Sequence, residues 1–227
     1  MPLDVCTINN ILYYIMDKQY ISNIINTLRQ KYPSPKTALY YTNPLELLIA
    51  TILSAQCTDI RVNEVTKTLF DKYKTVYDYA NAQRHSFEQE IKSTGFYKNK
   101  AEKIIECSNE LIKEFSAKVP QTMDELIRLP GVGRKTASVV LACAYSIPAI
   151  AVDTHVLRVT QRLGLVSTKN ADRAEAALKE IIPREDWIFF SLSVILFGRG
   201  ICKSRKPLCG KCFLFDFCSW DEKRNYL

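Results

Sequence analysis

Four of the chain's eight cysteines fall within seventeen residues, as Cys202-x6-Cys209-x2-Cys212-x5-Cys218. No other feature limits the possible folds as strongly. Four thiolates this close demand a metal, and a metal then organises a segment too short to build its own core. A four-cysteine zinc site and a [4Fe–4S] cluster both fit the donor set. All-cysteine zinc sites usually show two C-x2-C pairs, and here only Cys209 and Cys212 form one. The other four, Cys6, Cys57, Cys107 and Cys143, stand singly in apolar stretches and read as small buried hydrophobes. The first twenty residues lack a basic n-region, and Asp4 and Asp17 bracket their apolar part, so no secretory signal is expected. The thiols are then those of a reducing, cytoplasmic compartment, nucleoid-associated in a prokaryote, rather than a disulfide framework.

The rest of the chain reads as helices. Its 227 residues are 47% apolar, enough for one large core or two small ones, and its few Gly and Pro exclude a collagen-like or low-complexity chain. The longest uncharged run, Thr136 to Val152, is seventeen residues and contains Pro148, short of the roughly 20 apolar residues of a membrane span. Leu45 to Ala55 is nearly all apolar and opens with Asn43-Pro44 as cap and first-turn proline. Between Lys98 and Lys118, a stripe of Ala101, Ile104, Ile105, Leu111, Ile112 and Phe115 leaves the charges to the opposite face. Segments 171–182 and 187–197 read as helices too. Hairpin signals and period-two alternation are missing. The expectation is an all-α protein of about ten helices followed by a cysteine-rich tail.

Chemistry concentrates in Leu129-Pro-Gly-Val-Gly-Arg-Lys-Thr-Ala137. Gly131, Val132 and Gly133 separate a short helix (122–129) from one starting near Arg134. Glycines let the backbone turn and approach a ligand, and the N–H groups opening the next helix favour an anion. This is a helix–hairpin–helix pattern that grips a phosphate; a plain helix connection is the alternative for Gly-Val-Gly alone. Lys135 lies in the first turn of the second helix. Most such lysines are solvated surface charges. A helix N-terminus nonetheless disfavours an ammonium, which suits a nucleophilic amine. The uncharged run that follows ends at Asp153, within Ala-Val-Asp-Thr-His-Val-Leu-Arg158, and chain folding can return that carboxylate toward Lys135. Asp153 also reads as the cap of a helix starting at Thr154.

These segments, with Leu53-Ser-Ala-Gln-Cys-Thr-Asp59 and Thr94-Gly-Phe-Tyr-Lys-Asn-Lys-Ala101, resemble the endonuclease III family of the helix–hairpin–helix DNA glycosylases. The resemblance runs from about Ile21 to Trp220, leaving the first fifteen to twenty residues as an extension. It implies a bifunctional base-excision enzyme, a monomer acting on damaged double-stranded DNA and removing oxidised pyrimidines. Lys135 would attack the sugar C1′, form a Schiff base and cut the strand by β-elimination, with Asp153 stabilising charge or moving a proton. Gln56 would fill the space of the flipped nucleotide. Phe96 stands where the family usually has a leucine wedge. The resemblance also turns the donor set of Cys202, Cys209, Cys212 and Cys218 toward [4Fe–4S], in a mainly structural role. It implies a six-helix lobe, 37–147, holding the hairpin (about 123–142), and a second lobe from 1–36 and 148–227 with the cluster (202–218). Asp153 would face Lys135 across the gap between them.

Charge placement agrees with such a partner. From Gly198 onward there are seven basic residues against three acidic, four of the chain's seven net positive charges. Lys203, Arg205 and Lys206 crowd the loop between the first two cluster cysteines, where phosphate contact is expected. His155 reads equally as a DNA contact or a structural hydrogen-bonder, and His85 as a surface residue. Two other readings remain. Mismatch glycosylases active on thymine, uracil or adenine share the hairpin, but adenine enzymes need a glutamate where this chain has Thr51. A non-catalytic DNA-binding iron–sulfur protein would not need Lys135 and Asp153 together.

Overall fold

The computed structural model describes residues 5–227, with side chains from Lys18 onward, so Cys6 lies outside the described side chains. Among the described residues the secondary structure is helical and includes no strand. They divide into two compact units: Lys36–Ala151, continuous in sequence, and a discontinuous unit that joins residues through Pro35 with Val152–Leu227.

In chain order the helices are α1 (Val5–Lys31), α2 (Pro44–Leu53), α3 (Asp59–Lys72), α4 (Val76–Ala80), α5 (Arg84–Glu90), α6 (Tyr97–Phe115), α7 (Met123–Leu126) and α8 (Arg134–Tyr145), then α9 (Thr154–Arg162), α10 (Ala171–Ile181) and α11 (Trp187–Gly200). The continuous unit is built around α2. Asn43 caps it, its side chain accepting from the Glu46 amide at 3.0 Å, with Pro44 in the first turn. From Leu45 to Leu53 every residue except Glu46 is buried, so this helix has no solvent face, and α3, α6 and α8 pack around it. Each fully buried large side chain contributes about 1.5–3 kcal/mol of transfer free energy. Tyr73, Tyr79 and Phe87 close one end of the core with ring centroids 5.2–6.0 Å apart. The uncharged run Thr136–Val152 becomes α8 and the segment after it, and its Ala137 to Ala142 stretch is buried core. No helix among the described residues is long and apolar enough to cross a membrane.

Helix α6 follows its apolar stripe, with Ala101, Ile104 and Leu111 fully buried. One charge departs from the expected solvent face: Lys100 is only 4% exposed. Its Nζ donates to the carbonyls of Leu53 (2.7 Å) and Thr94 (2.8 Å). Two aimed carbonyls make burial of the ammonium tolerable, and neither is visible from the periodicity of α6. Of the single cysteines, Cys107 is fully buried as expected, whereas Cys57 and Cys143 are half-buried.

In the discontinuous unit α9 and α11 pack closely at Gly198, where a Cβ would come within 3.0 Å of His155 Cβ. Phe190, Val194 and Phe197 of α11 are buried. Helix α1 and the residue after it join this unit through aromatic contacts: Tyr20 of α1 meets Phe217 at 5.9 Å, and Tyr32 meets Phe213 edge-on at 6.0 Å. The Tyr20 hydroxyl also hydrogen-bonds to the carbonyls of Phe217 and, at 2.7 Å, Leu163.

Candidate functional site

In the continuous unit, α7 and α8 form the hairpin. Thr122 caps α7, accepting from the Glu125 amide at 3.3 Å. Leu126, Leu129 and Val132 are buried and anchor the turn from below. Gly131 has φ +79°, and a Cβ there would lie 2.9 Å from Lys103 Cβ, so conformation and space both require glycine. Gly133 begins α8 with no capping side chain. Gly131 and Gly133 are exposed, which leaves backbone at the surface beside a twelve-residue helix's positive end. Arg134 is half-exposed and Lys135, the second residue of α8, is exposed. Lys135 is also felt within its own helix: burial pushes the Cys143 thiol up to about 11, and the Lys135 charge opposes that rise.

Two further sequence-derived candidates share an unusual backbone. Gln56 (φ 52°) and Phe96 (φ 48°) are both left-handed without being glycine, and both are exposed. That conformation costs roughly 1–2 kcal/mol for an L-residue and concentrates at functional sites. Phe96 is an aromatic 66% exposed at the tip of its turn, directly after Gly95 at φ 72°. Turns at 54–57 and 95–96 and the 131–133 hairpin all belong to the continuous unit, supported by the C-terminus of α2 and the first two turns of α6.

Asp153 belongs to the discontinuous unit and caps α9. Its Oδ1 accepts from the amides of His155 and Val156, both at 2.8 Å. His155 is half-buried, and its Nδ1 lies 3.3 Å from Arg158 Nη2. Burial holds its pKa below the usual histidine value; Asp153 opposes this, and the charges of Arg158 and Arg199 reinforce it. His155 thus packs beside Gly198 of α11 while remaining partly exposed. His85 is exposed.

The four clustered cysteines border one cavity, with Val159, Leu163, Phe197, Pro207 and Leu214 as its apolar wall. Among the described residues no three metal-binding side chains converge on one ion position. Four cysteines bordering one cavity fit the donor set of a [4Fe–4S] cluster, one ligand per iron. Burial pushes the Cys212 thiol up to about 11, so ligation there must displace a proton. Arg162 organises the loop from behind. Its Nη1 donates to Cys202 Sγ (3.3 Å) and the Lys203 carbonyl (2.8 Å), and its own carbonyl accepts from the Ser219 amide (3.0 Å). Arg158 donates to the carbonyls of Cys202 and Gly198, both at 2.9 Å. With the loop backbone held this way, Lys203, Arg205 and Lys206 are left exposed.

Sequence reasoning passed over Lys100, Arg158 and Arg162. The arginines carried a signal, since their four-residue spacing puts both on one face of α9, but the acceptors lie some forty residues downstream.

Comparison with known proteins agrees with these features. The profile of the HhH-GPD superfamily of base excision DNA repair proteins matches residues 49–184, and that of the iron–sulfur binding domain of endonuclease III matches 202–218. Endonuclease III of Synechocystis sp. is 48% identical over 202 residues, which cover 88% of this chain and 92% of that protein. A trapped covalent endonuclease III–DNA intermediate superimposes with a TM-score of 0.88 at 45% identity, covering 92% of this chain and 98% of the other. A thermostable thymine-DNA glycosylase follows at 0.80 and 25% identity, with coverages of 90% and 98%.

Proposed function

The chain belongs to the endonuclease III family of base excision DNA repair proteins, and from that membership we propose that Lys135 is its nucleophile and Asp153 its working carboxylate. It is a bifunctional enzyme, a DNA glycosylase and abasic-site lyase acting on double-stranded DNA, and it holds a [4Fe–4S] cluster. Cys202, Cys209, Cys212 and Cys218 would hold it, and their ligation would pin the loop that carries Lys203, Arg205 and Lys206. The substrates are oxidised pyrimidines, and the setting is the cytoplasm.

A base inside a duplex is out of reach, so the nucleotide must first leave the stack at a cost of a few kcal/mol. Phe96 wedges the step open by stacking, and Gln56 fills the vacated space. Gly131, Val132, Gly133 and Arg134 seat the backbone phosphate, which positions the sugar without reading the base. The neutral amine of Lys135 attacks C1′, and the bond from C1′ to the base breaks, with the base taking up a proton. Asp153 stabilises the positive charge that develops on the sugar. Opening of the ring at O4′ gives an iminium between Lys135 and C1′. Loss of a C2′ proton then expels the 3′ phosphate, and water releases the lysine.

The observation that carries this reading is an exposed Lys135 one residue into the helix that follows the Gly131–Gly133 turn. An adenine-specific reading is disfavoured by Thr51, which is buried and donates its hydroxyl to its own helix, at the Leu47 carbonyl, 2.7 Å away. The test is reductive trapping. Borohydride added to protein and abasic-site duplex should leave a covalent complex that Lys135→Ala abolishes. A wild-type protein without an adduct, or an undiminished one from Lys135→Ala, refutes the assignment.

A further inference from the structure

Lys100 has no part in the chemistry above, yet it is a buried cation whose contacts run to two separate turns. Leu53, one acceptor, is the last residue of α2 and stands three positions before Gln56. Thr94, the other, ends a single 3-10 turn two positions before Phe96. Both acceptors are backbone carbonyls, so the bonds fix the course of the chain itself rather than a mobile side chain. Each turn then holds a left-handed residue at its exposed tip. Left to itself, either tip would relax toward ordinary backbone geometry.

We propose that Lys100 is a positioning residue that locks the Gln56 turn and the Phe96 turn at one spacing, so that filler and wedge enter the duplex together as a preformed pair. This rests on the reading that Gln56 and Phe96 occupy the opened stack. Burial holds the Lys100 pKa below the usual lysine value, so the side chain's place in the core rests on its two hydrogen bonds to carbonyls and not on contact with solvent. A preformed pair avoids ordering both turns at the moment of insertion, and that saving appears only when there is a stack to open. A lysine that merely satisfied two carbonyls would support the fold alike for every substrate.

The experiment compares the full-length, cluster-loaded wild type with Lys100→Met, measuring borohydride trapping on an abasic site in duplex and on the same strand alone. A single strand has no partner base to displace and no gap to fill. The expected result is a duplex trapping rate lower by roughly 10- to 100-fold with the single-strand rate unchanged. A 2-aminopurine opposite the abasic site should likewise lose the fluorescence rise that the wild type induces. Equal loss on both substrates, or undiminished duplex trapping, overturns the positioning role. A wild type that traps on neither strand overturns instead the Lys135 reading beneath it. Should Lys100→Met fail to fold, hydrogen exchange on the wild type decides: the amides of 54–57 and 94–97 should open as one unit, and independent opening refutes the lock.

Discussion

Asp153 Oδ1 lies 2.8 Å from the Val156 amide nitrogen, and the same oxygen accepts from His155, so the α9 cap is made entirely by Oδ1 while Oδ2 takes neither bond. The capping role of this carboxylate is thus carried by one oxygen, which makes it separable from the catalytic role proposed for Asp153. Asparagine separates the two. Asp153→Asn keeps a carbonyl oxygen for the cap, and its thermal unfolding should match the wild type to within a few tenths of a kcal/mol, whereas Asp153→Ala should lose about 1 kcal/mol. Base removal from a lesion duplex should fall by about 100-fold or more in both. Asp153→Asn with near-normal turnover would show that the charge is not used.

The basic loop is held from its rear by Arg162 and exposes Lys203, Arg205 and Lys206. Replacing all three with alanine should leave the melting temperature nearly unchanged, because exposed substitutions usually stay within about 0.5 kcal/mol. Duplex affinity should fall uniformly across sequences. The slope of log K against log salt should become shallower by about 0.9 for each phosphate that is no longer neutralised. A titration series in salt reads this directly, and an unchanged slope would remove the loop from the interface.

His155 gives the stability a pH dependence of known sign. Its folded pKa is lowered, first by burial. The unfolded chain therefore binds a proton near pH 6.5 that the folded chain refuses. Stability is complete above that pH and is lost as pH falls through the folded value. The wild-type urea midpoint should decline between about pH 7 and pH 5, more steeply than that of His155→Gln. Parallel curves for the two proteins would assign the slope elsewhere.

The Arg162 guanidinium lies 3.8 Å from the Trp220 ring centroid and donates to Cys202 Sγ. A close cation–π contact is worth roughly 0.5–2 kcal/mol, and here it ties Trp220, just past the last clustered cysteine, to the side chain that holds the first. Arg162→Met should bleach faster than wild type, followed as loss of visible absorbance during mild chelation or oxidation. Equal bleaching rates would show that the loop is held without it.

Much of the site could be read in the chain because its signals are local. Asn43-Pro44 and Asp153-Thr-His act within one helical turn, and so does the Leu-Pro-Gly-Val-Gly turn, where φ and space both demand Gly131. The four cysteines were legible for the same reason. Lys100 was not, because its acceptors Leu53 and Thr94 lie 47 and 6 residues away, and a lysine on an amphipathic helix is by default a solvent charge. The left-handed backbone at Gln56 and Phe96 was hidden likewise, since neither residue type advertises that conformation. α7 spans only four residues, too few for periodicity to register, and was found through the hairpin it starts.

Tyr20 hydrogen-bonds to the carbonyls of Leu163 and Phe217, and this ties folding to the order of synthesis. Lys36–Ala151 is contiguous, so all its partners have been made once residue 151 has been added. Helix α1 is made first but must wait for nearly two hundred further residues before its tyrosine meets Phe217. Cys218, the last of the four clustered cysteines, is added just after that. On the ribosome the hairpin unit can therefore be folded while the N-terminal helix is still without its partner. Docking of that helix through Tyr20 then follows synthesis of Phe217, well after the hairpin unit has all its partners.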